Sequence, residues 1–220
     1  VKDSAGHRLT LSMRSAINTV IDPPKTLLDF AGVNSEPNRL SESVLLIVDS
    51  QKEYSEGKVH LVGLDAAIAE AARLLDRARE LETPVIHVTH ENKAGSALFE
   101  SGSKFIEVMD ELRPRDGEAV ISKTMANSFF NSTLGEEIEK TGRRNLVVIG
   151  YMTHMAVDST VRIALERGFK TTVVGNACAA RDLSDGYGNV ISAATVHTAT
   201  LAILRDRFAA IVRSGSELPD

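Results

Sequence analysis

Short, uninterrupted runs of β-branched and aliphatic residues recur along the chain, and they restrict its fold more than any other feature. Three runs are well defined, at residues 43–49, 84–89 and 145–150. Three weaker runs lie at residues 118–122, 170–175 and 209–213. The apolar residues in these runs are continuous rather than alternating with polar ones, which is typical of strands buried on both faces of a parallel sheet. We therefore predict a mostly parallel sheet of roughly six strands.

Amphipathic helical patterns lie between these runs. Apolar residues repeat at helical spacing over 64–81, and a second stripe over 157–165 ends before Gly168, a residue type at which helices often stop. A third pattern begins near Ile191 and includes Ala202. This alternation of strands and helices predicts an α/β fold, a three-layer α/β/α sandwich of the Rossmann-like kind.

The alternation also predicts the domain organisation. No internal repeat and no low-complexity linker interrupts it, so residues 41–220 are expected to form one domain. Residues 1–40 stand apart because they contain Pro23, Pro24 and Pro37 among scattered polar residues. We expect either an N-terminal arm that wraps the core or a partner subunit, or a loosely ordered extension.

Composition excludes several classes of function. The 220 residues include 25 basic and 30 acidic side chains, a net charge of −5 that argues against a nucleic-acid surface. A single cysteine cannot form an internal disulfide framework or a four-cysteine zinc site. No apolar run is long enough to span a bilayer, and no secretory h-region opens the chain. We expect a cytoplasmic protein without nucleic-acid or membrane partners.

Polar residues gather where the predicted strands end. Asp49, His90 and Lys123 each follow a predicted strand, and a polar turn, 150–154, follows another. In open α/β sheets, binding sites lie at the carboxyl ends of the strands. Asp49 could simply cap a loop and Lys123 could be a solvated lysine. Together, an acid and a base at one edge of the sheet suggest a pair that handles protons.

The turn after residues 145–150 leads into a helix that is predicted to begin near Met155 or Ala156. The first backbone N–H groups of a helix lack partners within it and lie at the positive end of its dipole. They form a natural site for an oxyanion, and a thiol placed there would have a lowered pKa. In this chain the position holds Ala156.

Three blocks of sequence resemble the isochorismatase-like cysteine hydrolase superfamily, over roughly residues 43–213. Residues 45–51 with Tyr54 resemble the block of the first strand, which ends in the catalytic Asp. Lys123 with 127–129 resembles the lysine block. Residues 150–157, read as Gly-Tyr-Met-Thr-His-Met-Ala-Val, resemble a block that normally reads Gly-x-x-Thr-x-x-Cys-Val.

The resemblance implies a hydrolase that cleaves a C–N bond of a small amide, ureido or carbamoyl compound. In the implied Asp-Lys-Cys triad, a cysteine at 156 attacks the carbonyl carbon, Asp49 takes the thiol proton, and Lys123 holds Asp49 ionised. Backbone N–H groups of Met152 and residue 156 would form the oxyanion hole, beside a non-proline cis peptide between Tyr151 and Met152. The resemblance and the arm also suggest a homodimer or homotetramer.

Ala156 leaves three interpretations open, because a methyl group cannot attack a carbonyl. A natural cysteine could have been replaced, giving an inactive variant of an amidase; the flanking residues favour this interpretation. The chain could instead resemble the true isochorismatases, which lack the cysteine and use the Asp as a general acid on a vinyl ether. It could also be a catalytically dead ligand-binding protein on the same fold.

The remaining candidates concern the pocket and possible cofactors. The substrate-binding candidates are Tyr54, His90, Asn127, Phe129 and Tyr151, although Phe129 is better interpreted as a core residue and Asn127 could cap a turn. The metal site of some family members is not expected, because no Asp-x-His follows Asp49 and His87 and His90 would point to opposite faces of a strand. No nucleotide-binding motif is present, so no cofactor is implied. We expect Cys178 to be a packing residue.

Overall fold

The computed structural model describes residues 22–33 and 35–220. Its helices are α1 Leu27–Phe30, α2 Leu64–Glu80, α3 Leu134–Lys140, α4 Asp158–Glu166 and α5 Ala193–Arg207. Its strands are β1 Ser43–Val48, β2 Val85–His90, β3 Ala119–Lys123, β4 Asn145–Tyr151, β5 Lys170–Ala179, β6 Leu183–Ser184, β7 Val190–Ile191 and β8 Ala210–Val212. Within these ranges, no helix combines the length and apolar character needed to cross a membrane.

Six strands form one sheet in the order β3-β2-β1-β4-β5-β8, and every neighbouring pair is parallel. The predicted fold class is thereby confirmed. The chain adds strands outward from β1 in one direction and then returns to β4 on the other side of β1. In such sheets, ligands bind at this switch point, beyond the carboxyl ends of the strands. Asp49 follows β1 and the turn 152–157 follows β4, so both lie there.

The core has one layer on each face of the sheet. Val44, Leu46 and Val48 of β1 pack with apolar residues of α3 and α4 on one face. Leu45 and Ile47, which point the other way, pack with the apolar stripe of α2. Burial of β1 on both faces explains why its sequence is continuously apolar.

Two features of the structure had no clear signal in the sequence. Helix α3 has only seven residues, and it buries Leu134 and Ile138 alone, too few positions to show a helical period. The hairpin β6–β7 consists of two two-residue strands. Strand β5 also continues to Ala179, beyond the predicted end at residue 175.

The described part of the N-terminal segment packs on the chain's own domain. The Asn38 side-chain amide donates to the backbone oxygens of Leu146 (3.1 Å) and Lys170 (2.9 Å), and so links β4 to β5. Helix α1 is held against α5, where the backbone N–H of Leu27 donates to Asp206 (3.0 Å). The predicted arm otherwise falls on residues 1–21 and 34, which lie outside the described residues, and the domain boundary at residue 40 remains a prediction.

Candidate active site

Asp49 and Lys123 form a buried ion pair at the carboxyl edge of the sheet. Lys123 Nζ donates to Asp49 Oδ2 at 2.7 Å, and the two residues are 3% and 2% exposed. Asp49 has a φ of +50°, so the chain bends sharply after β1, and its N–H donates to the Val88 carbonyl (2.8 Å). The sheet thus brings together two residues that are 74 positions apart in sequence.

The second carboxylate oxygen of Asp49, Oδ1, is buried and has no hydrogen-bond partner among the described residues. Burial raises the pKa of the Asp49 carboxyl to about 6, while the charge of Lys123 and its hydrogen bond act in the opposite direction. A buried polar atom without a partner is costly in a folded protein. Asp49 therefore has one oxygen whose hydrogen-bonding capacity the described side chains and backbone do not use.

Gln51 braces the loops around the pair, and the sequence analysis did not assign it a role. The residue is fully buried; its amide NH₂ donates to the carbonyls of His90 and Ile106 (both 2.8 Å), and its Oε1 accepts from the N–H of His90 (2.7 Å). Its position within the first resemblance block was the only available signal.

The turn after β4 has an unusual backbone. Gly150 has a φ of +123°, and a Cβ built there would overlap the Val48 carbonyl of the adjacent strand. The next peptide bond, between Tyr151 and Met152, is cis, as the resemblance implies. Residues Thr153–Val157 then form a single π-helical turn that leads into α4, and Ala156 within it is 2% exposed.

Aromatic rings line the neighbourhood of the pair. The Tyr54 ring meets those of Phe99 and Tyr151 edge to face, with centroids 5.4 and 5.9 Å apart. His90 contacts Phe99 (5.1 Å) and bonds Asn92 through Nε2 (3.1 Å). Burial and the nearby Lys123 charge lower the pKa of His90. Tyr54 interacts electrostatically with Asp49 and His90 with Lys123, while Tyr151 meets this group through its contact with Tyr54.

Asn127 and Phe129 make contacts of a different kind. The Asn127 side chain accepts the N–H of Phe129 (2.9 Å), which closes a turn. The Phe129 ring stacks on Phe169 with their centroids 6.0 Å apart, and the Arg167 guanidinium also lies over the Phe129 ring, 4.9 Å from its centroid. These are the contacts of a turn cap and a core residue. Neither contact places the side chain beside Asp49, and a substrate-binding role for either remains a prediction.

Histidine and cysteine residues outside the pair occupy separate environments. His87 bonds Glu118 (3.0 Å), whereas His90 bonds Asn92, so the two rings do not converge. Among the described residues, no three His, Cys, Asp or Glu side chains are grouped to hold a metal ion. Cys178 is buried opposite Gly150, and burial raises the pKa of its thiol to about 12, which keeps it protonated.

An open cavity of about 450 Å³ adjoins the turn and is lined by Tyr54, Phe99, Met152, Lys58 and Arg181, among others. Lys58 Nζ donates to the Ala97 carbonyl (3.0 Å), and Arg181 donates to the carbonyl of Asp182 (3.1 Å). Across the described ranges, neither cation forms a salt bridge. The cavity therefore combines apolar walls with two positive charges and the negative charge of Asp182, a feature that had no signal in the sequence.

Residues 43–215 match the family model of the isochorismatase domain. The chain belongs to this family. It is 37% identical to the secreted isochorismatase effector Isc1 of Verticillium dahliae over 83% of this chain and 94% of that protein. The crystal structure of an isochorismatase from Pseudomonas putida shares 38% identity and superposes with a TM-score of 0.85, over 90% of this chain and all of the other.

Some isochorismatase-family relatives are amidohydrolases. The chain is 29% identical to the ureidoacrylate amidohydrolase RutB of Rhizobium rhizogenes over 56% of this chain and 65% of that protein. The family assignment establishes a hydrolase of the isochorismatase family. The name of the Verticillium relative describes a secreted protein, and the cytoplasmic location of the present chain remains a prediction.

Proposed function

We propose that this site belongs to a hydrolase that cleaves a C–N bond of a small amide, ureido or carbamoyl compound through a cysteine at position 156. Ala156 then leaves the present chain without its nucleophile. The observation that carries the proposal is the buried Asp49–Lys123 pair, with one Asp49 oxygen unpartnered, at the edge where the turn containing Ala156 begins. The amidohydrolase relative supports the substrate class.

In the proposed reaction, Asp49 Oδ1 takes the proton of the introduced thiol, and the thiolate attacks the carbonyl carbon. The resulting oxyanion accepts hydrogen bonds from the backbone N–H groups of Met152 and residue 156. Asp49 then gives its proton to the leaving nitrogen as the C–N bond breaks. Water then gives a proton to Asp49 as its oxygen attacks the thioester carbonyl. The C–S bond breaks, and Asp49 returns the proton to the thiolate, which restores the thiol. Lys123 stabilises the carboxylate in the steps in which Asp49 is ionised.

A second candidate is isochorismatase-type hydrolysis of a vinyl ether, which requires no thiol. Two observations favour it: Ala156 itself, and the pKa of Asp49, which is raised to about 6 by burial and leaves part of the carboxyl protonated near neutral pH. Asp49 would then act as the general acid. The names of the Verticillium and Pseudomonas relatives support this candidate.

The cavity beside the turn suggests what the substrate carries. Lys58 and Arg181 place two cations at its walls against one acid, Asp182, which accepts the N–H of Ala193 (2.7 Å), so the charged side chains of the lining sum to a positive charge. A carboxylate on the substrate would gain charge-assisted hydrogen bonds from these cations. We therefore propose that anionic compounds of the stated class bind better than neutral ones.

The deciding experiment compares the chain as it stands with its Ala156→Cys variant. Both are assayed for ammonia release from N-carbamoyl amino acids, biuret-like amides, lactam amides and nicotinamide, and for turnover of isochorismate. Activity on an amide that appears only with the cysteine supports the first proposal. Isochorismate turnover by the present chain supports the second, and binding without turnover by either protein would indicate a catalytically dead binding protein.

Asp49→Asn, made in the active background, tests the role of the carboxylate. We expect a loss of about 10²–10⁴-fold in turnover, the usual contribution of a general acid or base. Asp65→Asn is the matched control, because Asp65 is an exposed acid in the first turn of α2. Equal activities of the two variants would contradict the proposed site.

A further inference from the structure

Thr153 anchors the turn that contains Ala156 to two other elements of the fold. The residue is fully buried and begins the π-helical turn Thr153–Val157. Its hydroxyl lies 3.0 Å from the carbonyl of Ala179, at the end of β5, and 2.8 Å from Nδ1 of His197 on α5. One side chain therefore joins the turn to a strand end and to a helix.

The direction of these hydrogen bonds follows from the groups involved. A hydroxyl has one proton, and the Ala179 carbonyl can only accept, so the Thr153 hydroxyl donates to it. It must then accept from His197, which requires the tautomer with the proton on Nδ1. Burial lowers the pKa of His197, which favours the neutral ring. The ring also lines a separate cavity of about 470 Å³ at the side of α5.

We propose that His197 is a positioning residue for the hydrolysis described above. The His197 Nδ1–H holds the Thr153 hydroxyl and thereby fixes the turn 153–157. Both the backbone N–H and the side chain of position 156 project from this turn. The inference rests on the proposed function, because it assigns His197 an effect on that chemistry. His197 lies 41 positions beyond Ala156 in sequence. Its proposed effect on position 156 therefore passes through its hydrogen bond to Thr153 in the turn.

Placing a reacting group wrongly by about 1 Å can cost roughly 100-fold in rate, so a modest shift of the turn has a large effect. His197 lines the cavity beside α5 and is not among the residues that line the cavity with Met152 and Arg181, so its replacement removes no contact from the substrate cavity. Loss of the His197 bond is therefore expected to lower kcat and to leave KM largely unchanged.

The first test uses the Ala156→Cys protein and three further substitutions. His197→Leu removes the donor, and we expect kcat to fall about 10- to 100-fold with KM within about twofold. His197→Asn places an amide N–H near the position of Nδ1 and should restore most of kcat. Thr198→Val is the matched control, because Thr198 is exposed on the same helix.

An unchanged kcat in His197→Leu would overturn the inference. So would equal losses in His197→Leu and His197→Asn when both keep the parent's free energy of unfolding, since the lost group would then not be the hydrogen-bond donor.

The second test uses the present chain and does not depend on turnover. Amide hydrogen exchange is measured over residues 153–157 with and without His197→Leu. We expect exchange in this segment to become at least about tenfold faster, while the amides of β1 and β4 keep their protection. Unchanged exchange at the turn would overturn the inference.

The two tests separate the inference from the proposed function. If Ala156→Cys hydrolyses none of the compounds, the proposed amide hydrolysis fails, and the exchange measurement alone decides whether His197 holds the turn. If the cysteine variant is active and His197→Leu is indistinguishable from it, the proposed function stands and the positioning role is wrong.

Discussion

At the scale of the residue, Asp49 is subject to opposing influences. Burial disfavours its charged form, and the Lys123 ammonium at 2.7 Å favours it; burial has the larger effect, so the pKa is raised to about 6. The pair is buried together, and removal of either partner would leave the other charge without compensation. The two candidate reactions require different forms of this carboxyl, because a general base must be ionised and a general acid must be protonated.

The pH dependence of activity distinguishes the two roles of Asp49. If Asp49 is the base in amide hydrolysis, kcat/KM of the Ala156→Cys protein should rise as pH increases through about 6, because only the ionised carboxylate accepts a proton. If it is the acid in vinyl-ether hydrolysis, the activity of the present chain should fall over the same range. Initial rates between pH 4.5 and 8, a range chosen to bracket this pKa, measure both.

Lys123→Met tests the electrostatic part of this argument. Lys123 lowers the pKa of Asp49 through its charge and its hydrogen bond, so its removal should move the acidic limb of the Ala156→Cys profile to higher pH. Lys104→Met is the control, because Lys104 pairs with Glu56 in an exposed salt bridge. A limb that stays in place or moves to lower pH in Lys123→Met would contradict the assignment.

Arg181→Gln tests the preference for anionic compounds. Arg181 lines the cavity beside the turn and forms no salt bridge among the described residues, so its charge is available to a ligand. The Kd for an N-carbamoyl amino acid should be about tenfold higher for Arg181→Gln than for the present chain. The Kd for the corresponding neutral ester should not change. Calorimetry measures both, and equal affinities for acid and ester in the parent would refute the preference.

At the scale of the element, the geometry of the site depends on the close approach of β1 and β4. Val48 pairs with Gly150, so the chain leaves both strands at the same level, toward Asp49 on one side and toward the turn on the other. The absence of a side chain at Gly150 permits this approach and its φ of +123°. The glycine of the third sequence block thus has a structural reason.

Gly150→Ala should therefore destabilise the protein strongly. A Cβ at this position would overlap the Val48 carbonyl, and the backbone conformation is unfavourable for any L-residue with a side chain. We expect the free energy of unfolding to fall by more than about 2 kcal/mol in urea titrations. Gly135→Ala in α3 is the control, because its Cβ would meet only the end of the Arg167 side chain; a smaller loss in Gly150→Ala than in this control would contradict the explanation.

At the scale of the whole molecule, the described surface exposes large apolar side chains in several regions, and two of these regions have the most exposed ones. One includes α1, where Phe30 is 73% exposed, and the other is the β6–β7 hairpin, where Tyr187 and Val190 are 91% and 71% exposed. Exposed apolar groups of this kind often mark contacts between proteins. They are consistent with the homodimer or homotetramer suggested by the sequence, which remains a prediction.

Light scattering coupled to size-exclusion chromatography tests the assembly. We expect the molar mass of two or four chains, falling toward that of one chain on dilution if the association is weak. Val190→Lys would place a charge in the hairpin and should shift the equilibrium toward the monomer if the hairpin takes part. A mass of one chain at every concentration would refute the predicted oligomer.

The sequence by itself determined the layers of the fold, because strands buried on both faces and helices buried on one face have different apolar periods. It also indicated Asp49, Lys123 and Ala156, since each lies in a block whose residue types and spacing resemble a known family. It did not reveal α3 or the contacts of Gln51 and His197. A short helix has no measurable period, and a polar side chain in one sequence does not show which distant carbonyl or hydroxyl it meets.

Only the tertiary structure decided which of these residues meet. The strand order places the ends of β1 and β4 together at the switch point, and Lys123 reaches Asp49 from β3. Asn127 and Phe129 belong to the same sequence block as Lys123. In the structure, however, Asn127 caps a turn and Phe129 packs on Phe169 in the core. Contacts, burial and the resulting pKa values depend on distances between residues far apart in the chain, and local sequence patterns do not encode those distances directly.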